Sequence, residues 1–229
     1  MKAIEKVLAA TDFSADADRA VARAARVAAE QGASLTLLHV VSRRALEAAA
    51  GLHGVPADFE ARLVRDATDH LARLSLALPP TKKVLTSVKV GAPRKEIFEA
   101  ANAADLLVLG VRGTNPVRDL LLGTTAERMV SKANLPILIV KRPSMDTYRR
   151  VLAPVDLSEQ SATVLAAAAR IAPSGKINAA NAFVVPDGEV RVNILGAVPD
   201  GESSMSSLPT ILTAAQCRAG RALIDWSAE

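Results

Sequence analysis

Asp105-Leu-Leu-Val-Leu109 runs directly into Gly110-Val-Arg-Gly113-Thr-Asn-Pro-Val-Arg-Asp-Leu-Leu-Leu-Gly123-Thr124-Thr125-Ala126-Glu-Arg128. The apolar run does not alternate with polar residues. A strand that is apolar on both faces is covered on both faces, and such strands belong to parallel sheets packed between helices. The glycine-spaced stretch that follows leads into a helix, whose body reads over Glu127 to Ala133.

Working outward, the same alternation of strand and helix recurs on either side. Val7-Leu-Ala-Ala-Thr-Asp12 reads as a buried strand, followed by a helix to about Glu30 that Ser14 or Asp16 caps and Gly32 ends. Ser34 to Val41 reads as a second strand. Residues 42–56 read as a connection with a turn of helix. Phe59, Leu63, Ala67, Leu71, Leu74 and Leu78 then recur at helical spacing before Pro79-Pro80. Val84 to Val90 alternates as a third strand, Gly91-Ala-Pro93 turns, and Lys95 to Ala103 is helical. Pro136-Ile-Leu-Ile-Val140 is the last strand of the series. Regular alternation of this kind predicts a parallel α/β sheet of five strands, with helices on both faces.

A second pattern begins after Pro143. Val151-Leu-Ala-Pro-Val-Asp156-Leu-Ser158 echoes Val7-Leu-Ala-Ala-Thr-Asp12-Phe-Ser14 at an offset of 144 residues, and the match runs ungapped through Val41 and Val185. This predicts an internal duplication: a complete domain over 1–143 and a partial, degenerate second copy over 148–229. Val190 to Leu195 reads as a further strand and Thr210 to Trp226 as helical. No counterpart of the glycine-rich stretch follows residue 145.

The chain has 229 residues, Lys+Arg 28 against Asp+Glu 24, and 3% aromatic residues. The basic excess is mild and dispersed, and few rings are available for base stacking, so a dedicated nucleic-acid surface is not expected. The longest apolar runs are far short of the roughly 20 residues of a membrane span. Met1-Lys-Ala-Ile-Glu-Lys6 runs straight into a strand-like stretch, so a secretory signal is not expected, and the single cysteine, Cys217, excludes an intrachain disulfide. A cytoplasmic location is the corresponding expectation.

The glycine-rich segment carries the functional expectation. In an open parallel sheet, ligands bind at the carboxyl ends of strands where the strand order reverses. Glycine lets backbone approach a ligand closely. A helix N-terminus offers unpaired N–H groups and partial positive charge to phosphate. Neither Gly-Lys-Thr nor G-x-G-x-x-G occurs, so the segment is neither a P-loop nor a dinucleotide fingerprint.

Gly110-x2-Gly113-x9-Gly123-Thr124 resembles the ATP-binding motif of the universal stress protein family. The strand Val7 to Ser14, the block Leu-Leu-His39-Val40-Val41 and Val90-Gly-Ala-Pro93 resemble the family's first three strands, in order. The resemblance covers about 4–142 in full and 148–185 in part, and it implies a doubly wound, open sheet of five parallel strands. It implies adenine near Thr11, Asp12 and the backbone of Val40, with Asp12 facing the ribose or a metal on the phosphates. Leu109, Gly110 and Gly113 would wall the nucleotide. Gly123, Thr124, Thr125 and Ala126 would hold the phosphates, with Arg112 in reach. The implied ligand is ATP with Mg²⁺. The implied role is stress response or signalling through nucleotide-dependent conformation or assembly.

No catalytic set emerges from the spacing, and any hydrolysis should be slow, because no general base or arginine finger is evident. His39, His53, His70 and Cys217 lack metal-ligand spacing and read as structural. An adenylating enzyme on a similar sheet would carry Ser-Gly-Gly-x-Asp-Ser after the first strand, where this chain has Thr11-Asp-Phe-Ser14. A non-binding scaffold or regulatory member is the alternative, and an unidentified protein partner fits either role. Pro136 to Val140 is expected at the sheet's edge. An exposed apolar edge seeks a partner, which predicts a homodimer through 136–140.

Overall fold

The computed structural model describes residues 3–51, 56–111, 124–142, 146–184, 190–197 and 222–225. They divide into two compact units, Ile4–Arg142 together with Ala222–Asp225, and Asp146–Ala197.

The first unit runs β1 (Lys6–Thr11), α1 (Ala15–Gln31), β2 (Ser34–Ser42), α2 (Arg43–Ala50), α3 (Phe59–Leu76), β3 (Lys83–Gly91), α4 (Pro93–Ala101), β4 (Leu106–Gly110), α5 (Thr124–Lys132) and β5 (Ile137–Val140). These strands pair in parallel, as the sequence predicts, and their order is β3-β2-β1-β4-β5. All four residues of β5 are buried, as are Leu106 to Leu109 of β4. Their unbroken apolar runs therefore reflect helices on both faces. α4 and α5 cover one face, where Ile97, Ala101, Ala126 and Met129 pack on Leu8, Leu38, Leu107 and Ile139. α1 and α3 lie against the sheet through other residues, α1 over β1 and β4, α3 over β2 and β3.

Local chemistry fixes the ends of these elements. Ser14 caps α1 by accepting from the Ala17 N–H at 3.3 Å. Gly32 ends α1 at φ +61°, a left-handed conformation that costs other residues roughly 1 kcal/mol or more. The Asp105 carboxylate accepts from the Glu5 and Lys6 N–H groups at 3.1 and 3.0 Å, tying the start of β4 to the start of β1.

The sheet has a sixth strand. β9 (Ala222–Asp225) pairs in parallel with β5, from Ile137 beside Ala222 to Val140 beside Asp225. This corrects two expectations. The helix read over Thr210 to Trp226 gives way to a strand at 222–225, the rest of that stretch lying outside the described residues. The edge expected to be bare at 136–140 is occupied by the same chain.

The second unit contains β6 (Arg150–Pro154), α6 (Gln160–Ile171), β7 (Lys176–Val184) and β8 (Val190–Ala197). β6 and β7 are parallel, and β8 returns antiparallel to β7. Ala153, Ala168 and Ile177 form its small core.

The β6-α6-β7 run reproduces details of β1-α1-β2. Phe13 and Leu157 are the two non-glycine residues with positive φ among the described residues, at +61° and +63°. Asp12 Oδ1 accepts from the Ser14 N–H at 3.1 Å, and Asp156 Oδ1 from the Ser158 N–H at 3.0 Å. The pairing does not keep the ungapped offset. Ser34 donates to the Glu5 carbonyl at 2.9 Å, and Lys176 to that of Arg149 at 2.8 Å. Glu5 and Arg149 differ by 144 but Ser34 and Lys176 by 142, so the second connection is two residues shorter. After β7 the chain makes a hairpin, where the first unit crosses over through α2 and α3.

Candidate functional site at the strand ends

The strand order reverses between β1 and β4. α1 leaves β1 and α5 precedes β5 on opposite faces, so the carboxyl ends of β1 and β4 flank an open crevice. Ala9 pairs with Val108, and extending that register by two brings Thr11 level with Gly110. Thr11, Asp12, Leu109 and Gly110 therefore lie at the same end of the sheet, on the two strands that flank the crevice.

Thr11 is buried, and its hydroxyl accepts from the Phe13 N–H at 3.0 Å. With the Asp12 carboxylate accepting from Ser14, the chain makes two interlocked side-chain turns before α1 begins. Phe13 takes its left-handed conformation in this double turn. The carboxylate of Asp12 is thereby fixed at the strand end.

Val40 follows from the same bookkeeping of ladders. Ser34 points its N–H to β1, so by alternation Val40 does also. Yet Thr11, the last paired residue of β1, stands opposite His39. The backbone of Val40 thus lies just past the last pair with β1, at the same end of the sheet as the crevice, while its side chain packs with the α4 and α5 cluster.

Gly110 is required for a reason the sequence does not state. A Cβ there would lie 2.8 Å from both the carbonyl carbon and oxygen of Asp16, and 3.0 Å from the Ala17 nitrogen. The first turn of α1 therefore seats on bare backbone at the end of β4. α5 starts at Thr124, Thr125 is partly exposed, and the Ala126 side chain is buried in the core. Ala126 can serve a ligand only through its backbone. Arg112, Gly113 and Gly123 lie outside the described residues.

One cluster beside the crevice escapes sequence reading. The Phe13 ring stacks on His39, with centroids 4.3 Å apart, and on His70 of α3 at 4.1 Å. They line a cleft of about 400 Å³ with Ser42, Leu46, Phe59 and Asp66. His39 donates through Nδ1 to the Thr11 carbonyl at 2.9 Å. Burial pushes the His39 pKa below its ordinary value of 6.5, against the opposing pull of the Thr11 carbonyl and the Asp12 charge, and His70 adds to the depression. His53 and Cys217 lie outside the described residues. In the second unit Asp156 accepts from the Ser158 and Ser161 hydroxyls at 2.6 and 3.0 Å as well as from the Ser158 N–H. These bonds, led by the Ser158 hydroxyl, hold its carboxyl below the usual range.

Among the described residues, no group of three or more His, Cys, Asp or Glu side chains is placed to hold a metal ion, and no helix is long and apolar enough to cross a membrane.

Comparison with known proteins agrees with the first unit. The sequence model of the universal stress protein family matches residues 3–141. Universal stress protein MJ0577 of Methanocaldococcus jannaschii is 28% identical over 154 residues, covering 60% of this chain and 95% of that protein. A universal stress protein of Thermus aquaticus is 32% identical over 139 residues, covering 59% of this chain and 97% of that protein. The solved structure of MJ0577 superposes with a TM-score of 0.51 at 25% identity, across 62% of this chain and 99% of that one.

Proposed function

The chain belongs to the universal stress protein family, and from that premise we propose that its first unit binds ATP in the crevice between β1 and β4 and signals through nucleotide-dependent conformation or assembly. The observation that carries the reading is the convergence of Asp12, the Val40 backbone and Gly110 where the strand order reverses. The Val40 backbone reads the adenine edge. Asp12 meets the ribose or a Mg²⁺ ion carried on the phosphates. A Mg²⁺ ion carried on the phosphates would need only one or two carboxylates from the protein, and Asp12 would supply one.

The N–H groups at the start of α5, from Thr124 to Ala126, hold phosphate, helped by the Thr125 hydroxyl and the helix dipole. Gly113, Gly123 and Arg112 complete the cradle through the motif spacing. The role is that of a sensor in the stress response rather than an enzyme, with hydrolysis slow at most.

The second unit is a duplicated β-α-β element. The shared turn geometry at Asp12 and Asp156 supports this, and the absence of a second glycine-rich segment supports one nucleotide per chain. Calorimetry with ATP, with and without Mg²⁺, tests both statements. Micromolar binding at one site per chain, lost in Gly123→Val, is the expected result. Two sites per chain would overturn the assignment of the second unit. No binding would leave a scaffold built on a nucleotide fold.

A further inference from the structure

Ser42 ends β2 and caps α2 by accepting from the Ala45 N–H at 3.4 Å, so α2 follows the strand with no loop between them. Leu46 of α2, with Phe59 and Leu63 of α3, forms the apolar walls of the cleft at this end of β2. Its volume of about 400 Å³ falls within the range of small-molecule sites, roughly 300–1,000 Å³. None of its described lining comes from β4 or α5, so it is a different place from the crevice between β1 and β4.

Two polar groups of the cleft call for a hydrogen-bond donor. The Asp66 carboxylate makes no hydrogen bond or ion pair with the described residues. Nearby arginines are engaged elsewhere, Arg43 with Glu60 at 3.2 Å and Arg62 with Asp58 at 2.7 Å. His39 spends Nδ1 on the Thr11 carbonyl, so the neutral ring keeps Nε2 as an acceptor. The turn at Asp12, moreover, does not need an aromatic ring after it. Leu157 holds the matching position in the second unit at φ +63°, against +61° for Phe13, and is 67% exposed. Phe13 instead stacks on His39 and His70 and walls the cleft.

We propose that the cleft between α2 and α3 is a second binding site, taking a small, flat, apolar molecule that carries a protonated amine. The apolar body lies against Leu46, Phe59 and Leu63, and the ammonium group meets Asp66. A ring N–H on the body suits the acceptor nitrogen of His39. Asp66 repels an anion of the same shape. Because Asp66 is exposed, water screens its charge, which therefore sets a selectivity of a few-fold while apolar burial supplies most of the affinity. This site does not depend on ATP binding in the crevice.

Tryptamine, tryptophol and indole-3-propionate test the proposal, since they carry an ammonium, a hydroxyl and a carboxylate on one indole body. Each is titrated at pH 8, where His39 is neutral, into wild type and Asp66→Asn, with and without excess ATP. Amide NMR spectra report affinity, location and the fold of the variant together. The wild type should bind tryptamine about threefold more tightly than tryptophol, with indole-3-propionate weakest. The shifts should centre on Leu46, Leu63 and Ala67 and persist in ATP. Asp66→Asn should bind tryptamine and tryptophol equally. Equal binding of the three probes by wild type would overturn the proposal, as would an absence of saturable binding. So would an amine preference that survives in Asp66→Asn. Shifts that ATP abolishes would also overturn it, by putting the probe in the nucleotide crevice.

Discussion

The Nδ1 of His39 donates to the carbonyl oxygen of Thr11 at 2.9 Å, and in the second unit the amide of Asn181 donates to the carbonyl of Val155 at 2.8 Å. Thr11 and Val155 are 144 residues apart and His39 and Asn181 are 142 apart, the offsets the strand pairing imposes. Imidazole and carboxamide present a nitrogen at the same distance along the side chain. Both fasten the second strand of a β-α-β unit to the end of the first, where the Asp turn begins.

His39→Asn should therefore keep the bond to Thr11 and lose a titration. The His39 pKa lies below 6.5 in the folded chain, chiefly through burial. As pH falls through that ordinary value, the unfolded chain binds a proton that the folded chain resists. Stability is thus full above about 6.5 and declines below it. Thermal melts from pH 8 to pH 5 should show a shallower acid decline in the variant. At pH 8 the variant should lose about 1 kcal/mol, from the missing stack on Phe13. An equal acid slope in both proteins would assign the decline to groups other than His39.

The parts of the fold that were legible in the sequence are those whose signal is local. Leu106 to Leu109 and Ile137 to Val140 are apolar on both faces, and Ser14 and Gly32 bracket a helix in the usual way. β9 was not legible, because Ala222-Leu-Ile-Asp225 is too short to show a period and sits in a stretch with helical apolar spacing. The repeat has one offset in the sequence and another in the ladder for a different reason. Val40-Val41 and Val184-Val185 match at 144, while the ladder that positions β7 is set by backbone bonds that leave no sequence trace. The Phe13, His39 and His70 stack joins three distant stretches, and only the tertiary fold assembles it.

Gly110→Ala should destabilise the first unit whether or not a nucleotide is present. Its Cβ would stand 2.8 Å from backbone atoms of Asp16, which cannot swing aside. Shifting α1 off β4 should cost about 1–3 kcal/mol, the usual range for an added methylene in a packed place. Gly91→Ala is the informative contrast. There the Cβ would meet Glu96 Oε1 at 2.7 Å and its Cγ at 2.9 Å, but these are side-chain atoms, which can rotate away at the loss of the 3.2 Å contact with Lys89, whereas the backbone of Asp16 cannot. Urea unfolding without ligand should place Gly110→Ala well below Gly91→Ala. Equal stabilities would mean that the close seat of α1 relaxes without cost.

Asp12→Asn separates the charge of this residue from its part in the turn. The Oδ1 of asparagine can still accept from the Ser14 N–H, a bond of 3.1 Å in the native chain, so the turn and the start of α1 should survive. The negative charge is lost. If Asp12 meets a Mg²⁺ ion on the phosphates, the variant should bind ATP with no gain from Mg²⁺, while its melting temperature stays within a degree or two of wild type. Asp12→Ala should lose the turn acceptor as well and fall by about 1 kcal/mol. Asp156→Asn serves as the matched control: its carboxylate is engaged with Ser158 and Ser161, and its unit carries no glycine-rich segment, so nucleotide binding should not change. Calorimetry of the three variants beside wild type reads all of this together. An undiminished Mg²⁺ effect in Asp12→Asn would confine Asp12 to the turn and place the cation elsewhere on the nucleotide.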